Sequence, residues 1–159
     1  MPRLTAIPGK LKIEDLNQLI DLVQGRCVLQ LGCYCGRGTL VLARHARKTW
    51  VLEDFNHPHG LEEIVEELKV NVERHAPEDS IINLLYGTAE GWSVPEGGED
   101  LSAEEVEVVY RDADRQQRRE EQDQGLAMCL LKNGGIYAWH DANHDLRWLI
   151  VQPVPVEAN

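Results

Sequence analysis

The chain has 159 residues, 43% of them apolar, with 16 Lys and Arg against 27 Asp and Glu, a formal charge of -11. That length suits one domain around one core, residues 1–159, and so acidic a surface repels nucleic-acid backbones and anionic membranes. With no apolar segment in MPRLTAIPGK and no run of about 18 apolar residues anywhere, the expectation is a cytoplasmic protein that engages neither nucleic acid nor membrane.

Residues 1–26 form a helical lead-in: Leu16, Leu19, Ile20 and Val23 share one face of a helix over 13–23, and Gly25 is placed to stop it. A core over 27–141 follows. CVLQL, residues 27–31, reads as a short buried strand, then Gly32, Gly36 and Gly38 lead into an apolar helix over 39–46. Strand, glycine-rich turn and helix start let backbone N–H groups approach a nucleotide-like ligand, because glycine has no Cβ in the way. The spacing is G-x-x-x-G-x-G. It is neither the GxGxxG of dinucleotide folds, which weighs against an NAD-dependent oxidoreductase, nor a phosphate loop.

A strand over 49–52 ends on Glu53 and Asp54, about 20 positions past the first glycine, where a Rossmann-like fold binds ribose hydroxyls. FNHPHG follows as a turn, and its His57 and His59 read as loop residues rather than metal ligands. Leu61, Ile64, Val65, Leu68 and Val72 mark an amphipathic helix stopped by Pro77. A strand over 81–86 precedes GTAEGW, and residues 91–105 read as a surface loop with a helical turn from Ser102. The strand over 106–110 runs into RDADR, then a helix that is charged at its start and apolar at its end reaches Gly134; the charge run reads as a solvated face. A strand over 136–139 delivers His140 and Asp141. In the short tail, residues 142–159, one more strand fits over 149–151 before two prolines break the pattern.

Alternating strands and helices predict an α/β, Rossmann-like three-layer sandwich with parallel order 3-2-1-4-5, the glycine turn at the central strand and a shortened C-terminal part. Glu53, Asp112, His140 and Asp141 would then face one crevice beyond the carboxyl ends of the strands. The four cysteines, Cys27, Cys33, Cys35 and Cys129, form no C-x-x-C pair and are expected to be reduced.

Four segments carry a family resemblance. LGCYCGRGT is similar to the glycine motif G-x-x-x-G-R-[SG]-T of class I S-adenosylmethionine-dependent methyltransferases, in the variant with a bulky residue, here Tyr34, at the central glycine. LEDF resembles IDPF, RDADR resembles IDGDH, and KNGGIYAWHD resembles KPGGxxxFHD of small O-methyltransferase-like proteins, over roughly residues 7–141. The resemblance implies S-adenosylmethionine bound against Gln30, Gly32, Cys33, Tyr34, Gly36, Gly38 and Thr39, with ribose on Glu53 (Asp54 in reserve), adenine near Thr88 and Ala89, and Asp112 beside the cofactor.

Such an enzyme aligns donor and acceptor and removes the acceptor's proton. His140, Asp141 and Asp112 are the expected catalytic residues, His140 as base, with Asp112 and Asp141 able to share a Mg2+ that acidifies a hydroxyl of a small-molecule acceptor. The same two aspartates would suit a glycosidase, which the motif context opposes. Departures from the pattern are Gln30 in place of an acid, Arg115 in place of a histidine, and an end about 18 residues after Asp141, where relatives continue. They support the alternative of an inactive methyltransferase-like fold that binds the cofactor or serves as an interaction module. Trp139, Trp148 and Ile150 beside an open sheet edge predict a homodimer through the C-terminal strand.

Overall fold

The computed structural model describes residues 4–54 and 61–152; His57 and His59 lie outside them. In chain order the elements are α1 (Leu16–Val23), β1 (Cys27–Leu31), α2 (Arg37–His45), β2 (Lys48–Glu53), α3 (Leu61–His75), β3 (Ile82–Thr88), β4 (Gly91–Ser93), β5 (Val108–Arg111), α4 (Glu120–Leu130), β6 (Ile136–His140) and β7 (Leu146–Ile150). They build one mixed sheet in the order β4-β3-β2-β1-β5-β6-β7. Its five inner strands are parallel and run in the expected order.

β1 is the central strand, and all five of its residues are buried. A strand covered on both faces needs no polar alternation, which is why CVLQL is nearly continuously apolar. On one face Val28, Tyr110 and Ala138 pack against Leu19, Val23, Val41 and Leu42 of α1 and α2. Leu68 of α3 packs with Val51 of β2 and Cys33. On the other face Leu29, Trp50, Val109 and Tyr137 meet Ala127 of α4, with Trp92 and Leu101 completing that layer. Where one helix does not suffice to cover this face, the segment after β4 covers the rest.

Two antiparallel strands extend the parallel core. β4 pairs with β3, Gly87 opposite Trp92, in a stretch expected to be loop. The signal is short, GWS, and the pairing depends on Gly87: at φ 152° a Cβ there would lie 2.2 Å from the Gly91 carbonyl oxygen. β7 pairs along the whole of β6, from Ile136 opposite Ile150 to His140 opposite Leu146, and so begins three residues before the expected strand. Its start was hidden because Leu146 and Arg147 follow a turn rich in Asp and Asn. No helix among the described residues is long and apolar enough to cross a membrane.

Candidate functional site

The turn after β1 carries its backbone through the left-handed region at Gly32 (φ 80°), Tyr34 (φ 47°) and Gly36 (φ 98°). Two glycines there are set by close approach. A Cβ on Gly32 would meet the Arg115 side chain at 3.0 Å, and one on Gly38 would meet Asp112 Oδ1 at 2.5 Å and Gln30 Nε2 at 3.2 Å. The turn is thus roofed by the segment that follows β5. Cys33 and Cys35 are buried free thiols, and burial raises both their pKa values, that of Cys35 to about 12. They line the turn as small apolar groups rather than nucleophiles.

Below the turn, Gln30 is fully buried in β1. The Thr39 hydroxyl donates to its Oε1 at 3.0 Å, while its Nε2 finds no hydrogen-bond partner among the described residues. A buried amide N–H without a partner is rare in folded proteins.

Glu53 ends β2 beside the turn. Its Oε1 accepts the Cys33 N–H at 3.3 Å, and its Oε2 accepts the Asp54 N–H at 3.1 Å and Arg115 Nη1 at 3.3 Å. Asp54 pairs with Arg119. Thr88 ends β3, where its hydroxyl oxygen accepts the Glu90 N–H at 3.2 Å, so that Thr88 and Ala89 shape the turn into β4.

Beyond β5 and β6 lies a cavity of about 290 Å³, lined among others by Lys10, Asp112, Asp114, His140, Asp141 and His144. The three residues expected to act in catalysis therefore share one cavity. Asp112 is buried and accepts the Asp114 N–H at 3.2 Å; burial, reinforced by the neighbouring Asp114 charge, pushes its carboxyl well above the usual range. His140 Nδ1 lies 3.1 Å from the His144 carbonyl oxygen, which can only accept, so this nitrogen carries the proton. Nε2 then accepts from the Tyr110 hydroxyl at 2.9 Å. Burial lowers the His140 pKa and keeps the ring neutral.

Asp141 differs. Its Oδ1 accepts the N–H groups of Asn143 (2.9 Å) and Asp145 (3.1 Å), and its Oδ2 accepts Arg147 Nε at 3.0 Å. The backbone hydrogen bond from Asp145 is the main reason its pKa is lowered. This carboxylate organises the turn from β6 to β7. Among the described residues no group of three or more His, Cys, Asp or Glu side chains is arranged to hold a metal. The shared Mg2+ expected of Asp112 and Asp141 is accordingly unsupported, since Asp141 has both oxygens committed to the turn.

Sequence reasoning missed Tyr110, hidden in an apolar strand, and a charged cluster behind Arg115. Asp123 of α4 is fully buried, and its carboxylate accepts Arg111 Nε at 3.0 Å and a fork from Arg115, Nε at 3.0 Å and Nη2 at 3.1 Å. The charge run at the start of α4 is therefore not only a solvated face. One available signal was Arg115 itself, standing where the resembling family has a histidine.

No family model and no curated protein matches the sequence. Solved structures do match in fold. An O-methyltransferase from Bacillus cereus in complex with SAH superposes with a TM-score of 0.62 at 18% identity, over 85% of this chain and 60% of that one. A precorrin 8W decarboxylase from Methanobacterium thermoautotrophicum gives 0.56 at 19% identity, over 85% of this chain and 66% of that one. A phosphoethanolamine N-methyltransferase from Haemonchus contortus, in complex with phosphoethanolamine and S-adenosylhomocysteine, gives 0.57 at 17% identity, over 83% of this chain and 26% of that one. The chain thus spans less than two thirds of each of these proteins. What it shares with them is the fold, a Rossmann-like α/β sheet with its helices packed on both faces.

Proposed function

We propose that the protein is an S-adenosylmethionine-dependent methyltransferase that acts on a small molecule at a hydroxyl oxygen. The observation that carries this reading is the glycine turn closed by Glu53, a strand-end carboxylate bonded to the Cys33 N–H of the turn itself, with Gln30 Nε2 at Gly38 finding no partner among the described residues. These groups fit the cofactor. Glu53 can accept from ribose hydroxyls, Gln30 Nε2 offers a buried donor, and Gly32 and Gly36 let the turn take the left-handed backbone that brings the Cys33 N–H to Glu53.

Bound there, the cofactor supplies an electrophilic methyl group on a sulfonium. The rest falls to side chains around the cavity, which positions the acceptor beside the turn. Asp112, held less acidic by burial, and neutral His140 serve as proton acceptors joined through Tyr110, whose hydroxyl is 2.9 Å from His140 Nε2 and 3.5 Å from Asp112 Oδ1. A proton leaving the acceptor hydroxyl enters this chain at Asp112, which lines the cavity. Asp141 holds the cavity wall in shape through the turn before β7. No step requires a metal ion.

Titration calorimetry with S-adenosylhomocysteine tests cofactor binding, and turnover of S-adenosylmethionine over a panel of hydroxylated small molecules tests transfer. Absence of binding would reject the proposal. Binding without turnover on any acceptor would support the alternative, a cofactor-binding fold that is not a catalyst.

A further inference from the structure

We infer that Arg115 is a positioning residue that aims Glu53 at the ribose, and that Asp123 of helix α4 anchors it for that task; the inference rests on the cofactor reading above. Arg115 is all but buried, its side chain 2% exposed, and its stem lies over Gly32 at the start of the turn. Its guanidinium is engaged on two sides. Nε and Nη2 grip Asp123 as a fork, and Nη1 reaches across to Glu53 Oε2, 62 residues away in the chain. A planar guanidinium can serve two carboxylates in this way because its donors are fixed in direction; an ammonium cannot hold both in set geometry.

Charge makes the arrangement interdependent. Arg111 also binds Asp123, so the buried part of the cluster holds two cations and one anion, and it reaches neutrality only with Glu53 included. Buried charges without partners are costly, so Glu53 is held toward Arg115 by more than one ordinary ion pair. The consequence appears at the two carboxylate oxygens. Oε2 takes both Arg115 Nη1 and the Asp54 N–H, while among the described residues Oε1 takes only the long Cys33 N–H bond. Acceptor capacity therefore remains on Oε1, at the glycine turn, where a ribose hydroxyl of the cofactor would bind. Arg115 sets which oxygen is left available without touching the ligand's reacting atoms.

The test compares two probes, S-adenosylhomocysteine and its analogue lacking both ribose hydroxyls, on the full chain by calorimetry. Arg115→Lys is expected to weaken S-adenosylhomocysteine about tenfold and the analogue less than about twofold, since only the hydroxyl contact depends on the aim of Glu53. Glu53→Gln should give the same pattern, and the double variant should lose little more than either single one. If folded Arg115→Lys weakens both probes equally, or neither, Arg115 is only structural and the inference fails while the cofactor reading stands. If the wild type binds neither probe, the cofactor reading fails and the inference falls with it. Should Arg115→Lys not fold, Asp123→Glu, which keeps the charge and displaces the fork, is read by the same ratio of affinities.

Discussion

The Tyr110 hydroxyl sits 2.9 Å from His140 Nε2, joining two neighbouring parallel strands through a buried hydrogen bond at their carboxyl ends. With Nδ1 donating to the His144 carbonyl, the imidazole is locked in one neutral tautomer. Its protonation would reverse the direction of the Tyr110 bond, and burial already disfavours the charged ring.

That lock has a pH signature. A histidine whose folded pKa is depressed stabilises the fold above its unfolded value of about 6.5, and the contribution is lost as pH falls through the folded value. Asp112 acts oppositely: with a raised folded pKa, its contribution is present at low pH and is lost as pH rises. Urea melts of wild type and His140→Gln separate the two. The stability advantage of wild type should be full at pH 7.5 and shrink steadily toward pH 5, and a difference independent of pH would exclude the lowered pKa of His140.

Gly38→Ala should damage the site at its tightest point. The added methyl would lie 2.5 Å from Asp112 Oδ1, and Gln30 closes the other side at 3.2 Å. Overpacking of this kind costs about 1–3 kcal/mol. Gly25→Ala, where nothing lies within 4 Å, is the contrast: there only the left-handed backbone at φ 69° is strained. The urea midpoint should fall in both variants, but S-adenosylhomocysteine binding should be lost only in Gly38→Ala.

Asp123→Leu should be among the most destabilising single substitutions in α4. It leaves Arg115 with Glu53 as its one carboxylate and Arg111 with none among the described residues, both nearly buried, and breaking a buried ion cluster from one side costs about 3–5 kcal/mol. Glu121→Leu on the exposed face of the same helix should change stability by less than about 0.5 kcal/mol. Chemical denaturation of the two variants side by side measures this.

The outer edge of β7 predicts self-association. The Val151 N–H and the Asp145 carbonyl face β6, so the alternate residues Leu146, Trp148 and Ile150 direct their backbone groups outward. Asp15 takes the Leu146 N–H at 3.2 Å, but Trp148 and Ile150, 43% and 53% exposed, lie on an edge with no charge from 148 to 151. Natural edges usually carry such a charge. We propose that a second copy pairs there. Light scattering at micromolar concentration should give twice the chain mass, and Trp148→Lys or removal of residues 148–159 should halve it; a monomeric wild type would exclude the dimer.

The parallel core was legible in local signals, since CVLQL, the glycine turn and the strand ending at Glu53 show apolar runs, residues free of Cβ, and a period that changes from strand to helix. It also brought Asp112, His140 and Asp141 to one edge, because strand ends in a parallel sheet converge whatever the side chains do. How those side chains are used depends on contacts between segments distant in the chain. Asp141 reads as a reactive acid in HD but is drawn into the β6–β7 turn by two N–H groups and Arg147, contacts that exist once β7 folds back on β6. Asp123 reads as one charge in a solvated run, yet α4 lies across the sheet with that residue inward, over Arg111 and Arg115. The ion pair of Arg115 with Glu53 depends on β1 alone separating β2, which ends on Glu53, from β5, which leads to Arg115, a long-range fact that no local propensity encodes.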